Sequence, residues 1–192
     1  MGSLLVKMSF YGIRGNTLSW VDSFLIGHTQ RVFVDGEASD SAALTSGVRQ
    51  GSVLGPFLFL MHIDDMPETI SSQSRLFADD TIVYRSIRNQ DDCVQLQKDL
   101  ESLEKWESKW GMSFNPLKCE TIHVIQKKSP IITPYILKNE PLARTKTASY
   151  LGITIAEDLS RNRHIAKTAA KGNQMLAFVR SNIRTVQFQP PS

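Results

Sequence analysis

The sequence contains few of the residues that form disulfide bonds or zinc sites. It has two cysteines, Cys93 and Cys119, which lie far apart, and four scattered histidines. Neither set has the close spacing of metal ligands, so we expect two free thiols and no zinc centre. The chain also lacks an apolar run of the roughly 18 residues that a membrane-spanning helix needs, and it shows no charged leader followed by an apolar core. These absences predict a soluble, intracellular protein, nuclear or cytoplasmic, that does not bind membranes.

Negatively charged residues are absent from the C-terminal end of the chain. The formal charge of the whole chain is +3, but residues 159–192 contain six Lys or Arg and no Asp or Glu. Arg161, Arg163, Lys167 and Lys171 recur at spacings that share one face of a helix. Such a face is most often only solvated, although a helix that contacts nucleic-acid phosphates has the same pattern. The sequence leaves both interpretations open.

Apolar spacing predicts a mixture of helices and strands. Helical periodicity recurs in residues 4–27, 91–111 and 163–182, and an apolar helix is expected near residues 57–63 with Pro56 at its start. Asp35-Gly36 is a hairpin signal, and Gly111 is placed to end the longest helix. Strands are expected at residues 121–125, 135–137 and 150–155. No regular alternation of strand and helix is present, so we predict an α+β fold with an antiparallel sheet.

Asp79 and Asp80 are adjacent carboxylates within the apolar, strand-like run RLFADDTIVY of residues 75–84. Two unit charges about 4 Å apart repel by roughly 4 kcal/mol near a protein surface, so something must offset the repulsion. A solvated turn between two strands is one explanation. The other is a hairpin that presents both carboxylates to a hard divalent cation such as Mg²⁺, which takes oxygen ligands.

Three further features have weaker meanings when each is taken alone. The loop SGVRQGSVLGP has glycines that allow close backbone approach to a ligand, with Gln50 and Ser52 as polar donors, but no Gly-Lys-Ser/Thr follows it as in a Walker loop. Lys118 is a cation just before a predicted strand, where a plain surface lysine is the ordinary interpretation. Asp64-Asp65 follows the apolar helix and precedes a proline, so we predict a structural role for this second acidic pair.

Four motifs in order resemble the reverse transcriptase domain of non-long-terminal-repeat, or LINE-type, retrotransposons: SGVRQGSVLGPFLF, FADDTIVY, WGMSFNPLKC and YLGITI. The resemblance covers nearly the whole chain. It implies a right-hand polymerase fold, with the later fingers and most of the palm in residues 1–158 and the start of the thumb in residues 159–192. The implied partners are an RNA template, a DNA primer and deoxynucleoside triphosphates.

The resemblance also implies roles for residues at the matching positions. Asp79 and Asp80 would bind catalytic Mg²⁺, with Mn²⁺ as a substitute, and Lys118 would stabilise the leaving pyrophosphate. The other implied roles are a nucleotide and template site at Gln50, Gly51 and Ser52, and a turn that supports the primer end at Tyr150, Leu151 and Gly152. Bound cations would relieve the repulsion between the paired carboxylates.

The sequence departs from the family pattern at two places. The family's first metal-binding Asp lies shortly before the stretch that matches YGIRG, and the chain begins with MGSLLVKMSFYGIRG. We therefore expect a truncated copy that does not polymerise by itself. Arg49 stands where the family usually has proline, which could loosen the loop ahead of Gln50.

The sequence leaves three functional hypotheses open. The first is a fragment of an RNA-directed DNA polymerase, which explains all four motifs. The second is a non-catalytic remnant that still binds nucleic acid through its basic C-terminal helix, which better explains the missing Asp. The third is an inert product of a decayed element.

Overall fold

A computed structural model describes residues 2–44, 47–48, 51–125 and 130–183. The chain is a mixture of helices and short strands, as predicted, and it divides into two compact units, Met1–Phe114 and Asn115–Ser192. Both cysteines are free thiols, which confirms the prediction from their spacing. Within the described ranges, no helix is both long enough and apolar enough to cross a membrane.

In the first unit, helices are interleaved with short hairpins. Its described elements are α1 (Gly2–Phe10), α2 (Gly15–Leu25), β1 (Thr29–Gln30), β2 (Phe33–Val34), β3 (Glu37–Ala38), β4 (Ala42–Ala43), α3 (Leu54–Ile63), a 3-10 helix (Met66–Thr69), β5 (Gln73–Phe77), β6 (Asp80–Tyr84) and α4 (Gln90–Trp110). Three antiparallel pairs form, β1 with β4, β2 with β3 and β5 with β6. Asp35 and Gly36, with φ of +52° and +88°, join β2 to β3, so the hairpin predicted at this dipeptide is confirmed.

Helix α4 begins and ends at residues that suit those positions. The Asn89 side chain accepts the backbone N–H of Asp92 at 3.0 Å, and the Asp92 carboxylate accepts that of Asn89, which forms a capping box. Gly111 follows the last turn with a left-handed φ of +69°. The predicted long helix is therefore confirmed to within one residue at each end.

Two clusters of buried apolar side chains form the core of the first unit. One lies where α1, α2 and α3 meet, and the other lies where the end of α3, the 3-10 helix and α4 meet. Their members are Leu4, Met8, Val21, Leu25 and Leu58 in the first, and Ile63, Met66, Leu103 and Trp106 in the second. Helix α3 contributes to both clusters, which explains why its sequence is apolar almost throughout.

Lys7 is a buried cation in the first unit, only 3% exposed. Its ammonium donates to the Asp65 carboxylate and to the His62 carbonyl, and it lies 4.0 Å from the centroid of the Trp110 ring. Trp106 Nε1 donates to the same carboxylate oxygen at 2.9 Å. Burial lowers the pKa of Lys7, and the hydrogen bond to Asp65 opposes this. Asp65 thus has the structural role predicted for the second acidic pair.

The second unit contains short strands followed by one long helix. Its described elements are a 3-10 helix (Pro116–Lys118), β7 (Glu120–Ile122), β8 (Ile136–Leu137), β9 (Glu140–Pro141), β10 (Ala143–Thr145), β11 (Thr147–Tyr150), β12 (Ile153–Ala156) and α5 (Asn162–Ile183). β8 pairs with β9 and β11 with β12 in antiparallel fashion, whereas β7 and β10 are parallel. The parallel pair departs from the predicted antiparallel sheet, and it is possible because a long connection separates the two strands.

The strand predicted at residues 150–155 is wrong as a continuous element. Leu151 and Gly152 form a two-residue turn between β11 and β12, and Tyr150 faces Ile153 across it. The apolar residues on both sides of the turn suit two strands as well as one, so periodicity alone did not separate them.

Candidate active site

The acidic pair lies at the tip of the β5–β6 hairpin. Phe77 and Asp80 are the last facing pair of the ladder, which leaves Ala78 and Asp79 as the two-residue turn. Ala78 has a φ of +51°, a conformation that disfavours an alanine side chain. Asp79 and Asp80 are both exposed. The predicted turn is therefore present, and it holds two adjacent carboxylates at the surface.

Apolar packing fixes one face of this hairpin. Leu76 on β5 and Val83 on β6 pack against the cluster around Leu103 and Trp106 of α4. Alternate residues of β5 point the other way and are exposed, as expected for a strand with one buried face. The body of the hairpin is thus set against the long helix while its acidic tip extends beyond the ladder.

Two carboxylates of α4 hold the opposite end of the hairpin. Asp99, 2% exposed, accepts the backbone N–H groups of Ser71 at 3.0 Å and Ser72 at 2.9 Å, just before β5 begins. The Asp92 carboxylate accepts a hydrogen bond from Arg85 Nε at 3.3 Å, and Arg85 follows directly after the end of β6. Both chain ends of the hairpin are therefore tied to one helix.

The buried carboxylate of Asp99 remains ionised in this environment. Burial raises its pKa, but hydrogen bonds from Ser71, Ser72 and Gln95 outweigh that effect, and the pKa lies below its ordinary value of 3.8. No role for Asp99 is predicted from the sequence. The available signal is a carboxylate in the apolar stripe of a helix, four residues before the buried Leu103.

The glycine-rich loop is described only in part. Gln50, predicted to line the nucleotide and template site, and Arg49 lie outside the described residues, so the role of Gln50 stays a prediction. Gly51 is exposed with a φ of +77°. Ser52 Oγ accepts the backbone N–H of Gly55 at 2.9 Å near the start of α3. The serine hydroxyl therefore helps to cap this helix, a role that the sequence analysis did not predict.

Lys118 lies in the second unit, at the end of a 3-10 turn. Asn115 starts this turn, because its side chain accepts the backbone N–H of Leu117 at 3.1 Å. The Lys118 side chain is exposed, and β7 follows two residues later, as predicted. Its role near a leaving pyrophosphate stays a prediction.

The three residues predicted to support the primer end lie where β11 turns into β12, with Tyr150 as the last residue of β11 and with Leu151 and Gly152 as the turn. Leu151 and Gly152 have φ of +50° and +79° and are exposed. A left-handed φ is unusual for leucine and costs on the order of 1 kcal/mol. The turn is thus present at the predicted place, and its function stays a prediction.

The predicted phosphate contacts lie at α5. Arg163, Lys167 and Lys171 are four residues apart on one side of the helix, and Arg161 precedes its first turn. All four side chains are exposed. No residue of α5 is buried, and the helix contains four Lys or Arg but no Asp or Glu.

The match to a known family comes from the whole run of motifs rather than from one residue. Residues 3–155 match the family described as reverse transcriptase (RNA-dependent DNA polymerase). The chain belongs to the reverse transcriptase family. The resemblance found in its four motifs is thereby confirmed.

Curated relatives of this reverse transcriptase domain come from mobile elements. The chain is 33% identical over 155 residues to the RNA-directed DNA polymerase from mobile element jockey of Drosophila melanogaster, which covers 76% of the chain and 17% of that protein. It is 28% identical over 189 residues to the probable RNA-directed DNA polymerase from transposon BS of the same species, covering 92% of the chain and 20% of that protein. The chain therefore spans about a fifth or less of the length of these relatives. They support a LINE-type reverse transcriptase domain.

The hairpin of this reverse transcriptase domain offers oxygen ligands of the type that a divalent metal takes. Asp79 and Asp80 offer exposed carboxylate oxygens, the ligand type that Mg²⁺ prefers. Among the residues that the structure describes, no group of three or more His, Cys, Asp or Glu side chains could hold a metal ion. The hairpin thus supplies two suitable ligands, and other oxygens are needed to complete the coordination.

Proposed function

We propose that the chain is a segment of an RNA-directed DNA polymerase and carries part of the metal site for nucleotidyl transfer. One observation carries the proposal: Asp79 and Asp80 are adjacent and exposed at the tip of a hairpin whose other end is tied to α4. In a reverse transcriptase, such a pair is suited to hold metal ions, which in turn contact the phosphates of the substrates. The wider assignment of fingers and palm to residues 1–158 and thumb to residues 159–192 is part of the same proposal.

The two carboxylates are suited to hold Mg²⁺, or Mn²⁺ in its place. When bound, the ions supply charge that stabilises the attacking oxygen of the primer and the leaving oxygen of the nucleotide. The protein's contribution is position, because a turn held between two strands limits where the Asp79 and Asp80 oxygens can lie. Substrate phosphates and a further carboxylate are the ligands that complete sites of this kind.

The remaining residues have supporting roles in this proposal. Lys118 would place an ammonium near the leaving pyrophosphate. Gln50, Gly51 and Ser52 would line the site of the nucleotide and template, and the Tyr150–Gly152 turn would support the primer end. The substrates are an RNA template, a DNA primer and deoxynucleoside triphosphates.

Metal binding by the hairpin tests the proposal. Water-proton relaxation reports Mn²⁺ bound to the 192-residue chain, and we expect Asp79→Asn or Asp80→Asn to weaken binding about tenfold, since each removes a charged ligand. The matched control is Asp35→Asn, which removes one exposed carboxylate from the turn of another hairpin. Equal Mn²⁺ binding by all four proteins would contradict the proposal.

Primer extension on an RNA template tests the need for further ligands. With Mg²⁺ and separately with Mn²⁺, we expect no synthesis by the 192-residue chain alone, because the described residues place no third metal-binding side chain beside Asp79 and Asp80. We expect Asp79-dependent synthesis once a segment that supplies another carboxylate is joined to the chain. Robust synthesis by the unextended chain would show that the two carboxylates suffice.

A second candidate function is nucleic-acid binding without catalysis. The observation that favours it is the charge of α5, which has four cations, no anion and no buried residue. Such a helix can contact phosphates whether or not the metal site is complete. A chain that binds an RNA–DNA duplex but binds no Mn²⁺ at the hairpin would support this candidate over the first.

A further inference from the structure

An open cavity of about 360 Å³ lies at the base of the β5–β6 hairpin, in the first unit. Its walls come from the residues that precede β5, the end of β6 and the start of α4. The lining residues include Ser71, Ser72, Tyr84, Arg85, Arg88 and Asp92. The hairpin tip with Asp79 is four to five residues away along the strand, which corresponds to roughly 14 Å. The cavity is therefore separate from the acidic pair.

The negative charge on the cavity wall is already used by the protein. Asp92 accepts the backbone N–H of Arg88 at 2.9 Å, that of Asn89 at 3.4 Å, and Arg85 Nε at 3.3 Å. A carboxylate has about four acceptor positions, so at most one is left. Asp99, which lies behind the wall, is buried and accepts from Ser71 and Ser72.

The hydrogen-bond donors of the cavity exceed what the protein uses. Arg85 Nη1 donates to Ser71 Oγ at 3.3 Å, which together with the bond to Asp92 accounts for two of its five N–H groups. Among the described residues, no acceptor meets the guanidinium of Arg88. Tyr84, which is 40% exposed, adds an aromatic wall, and the Arg75 guanidinium lies 5.7 Å from the centroid of its ring. The cavity thus has two guanidinium groups, Arg85 and Arg88, and one carboxylate, Asp92, which has at most one free acceptor position. This excess of hydrogen-bond donors and positive charge favours the binding of an anion.

We propose that this cavity binds the phosphate group of a nucleotide. Arginine forks match the oxygens of a phosphate, and two of them on adjacent walls can each donate to it. A volume of about 360 Å³ falls in the range of small-molecule sites and exceeds what a phosphate alone fills. The sugar or base attached to the phosphate would pack on the Tyr84 ring, since stacking on aromatic side chains tolerates any base.

Chemical-shift titration of the 192-residue chain tests this site. The probes are inorganic phosphate, deoxyadenosine 5′-monophosphate and deoxyadenosine, with the amide signals of Ser72 and Arg85 as reporters. We expect saturable shifts with the two phosphate probes and none with the nucleoside. Arg88→Gln should weaken binding about tenfold, because it removes a charge-assisted hydrogen bond without breaking a contact within the protein.

The control variant is Arg14→Gln, which removes an exposed arginine of the same unit outside the cavity. We expect unchanged affinity, and an equal loss in both variants would overturn the proposal by indicating non-specific attraction. Absence of saturable shifts, or full affinity in Arg88→Gln, would also overturn it.

A 5′-phosphorylated thymidine tetranucleotide identifies the source of the phosphate. Tighter binding than the mononucleotide supports a strand end, and weaker binding supports a free nucleotide.

Discussion

At the scale of single residues, the candidate active site combines strain at its tip with strong polar contacts at its base. Ala78 has a φ of +51° in the turn that presents Asp79 and Asp80. Asp99, 28 residues from Ser71 in sequence, accepts two backbone N–H groups at the entrance of the same hairpin. The tip is therefore held in an unfavourable conformation by a ladder and by contacts that lie elsewhere.

Ala78→Gly should raise the free energy of unfolding by about 1 kcal/mol. Glycine adopts a positive φ without the steric cost that alanine has there, and this gain exceeds the entropy that glycine loses on folding. Urea denaturation measures the change. The control is Ala42→Gly in β4, where φ is not positive, and there we expect a decrease of about 0.5–1 kcal/mol. A decrease in both variants would contradict the strain assigned to Ala78.

Asp99→Asn should lower the free energy of unfolding at neutral pH by about 2–3 kcal/mol. The amide nitrogen of asparagine cannot accept a backbone N–H, so a buried donor of Ser71 or Ser72 loses its partner. Glu101→Gln, on the exposed side of α4, is the matched control and should change stability by less than about 0.5 kcal/mol.

The pH dependence of the same variant checks the pKa of Asp99. The pKa in the folded chain lies below the ordinary value of 3.8, so the stabilising contribution of Asp99 is complete above that value and is lost as the pH falls through the folded pKa. Denaturation between pH 7 and pH 3 should show a constant difference between wild type and Asp99→Asn down to about pH 4, and a smaller one below. A difference that grew on acidification would contradict this assignment.

At the scale of elements, α5 differs from the other long helix of the chain. α4 buries Cys93, Leu103 and Trp106, whereas α5 buries none of its 22 residues. Its basic side carries Arg163, Lys167 and Lys171. A helix that gains so little from packing is available for contacts with a partner, and its charge favours phosphates.

Lys167→Gln combined with Lys171→Gln should weaken binding to an RNA–DNA duplex and reduce its salt dependence. Each lost phosphate contact lowers the log–log salt slope by about 0.9 on duplex DNA, and fluorescence anisotropy across a salt series measures it. The control combines Lys98→Gln with Lys105→Gln, two exposed lysines of α4. Equal log–log salt slopes for the two double variants would indicate that the basic side of α5 is solvated and does not contact phosphates.

At the scale of the whole molecule, the two compact units have very different cores. Both apolar clusters lie within Met1–Phe114. In the described part of Asn115–Ser192, the buried apolar residues are Tyr135, Leu137 and Ala156. Because stability depends on buried apolar area, the first unit should account for most of the stability of the chain.

A fragment of residues 1–114 should therefore fold by itself, and one of residues 115–192 should be marginal. Thermal melts followed by circular dichroism should show a cooperative transition for the first fragment and a broad or absent one for the second. Amide hydrogen exchange in the first fragment should still protect β5 and β6. A disordered first fragment would show that its core depends on the second unit.

The sequence by itself determined the family, the long helices and the turns whose chemistry is local. Asp35-Gly36 and Gly111 fix their conformations through a few neighbouring dihedral angles, and four motifs in order identified the reverse transcriptase domain. Only the tertiary structure decided which polar residues are buried. Asp99 lies in the apolar stripe of α4 and Lys7 lies in α1, and the partners that they meet on burial, Ser71 and Asp65, are 28 and 58 residues away. Periodicity reports the face of a helix, but the partner of a buried charge depends on how elements distant in sequence pack together.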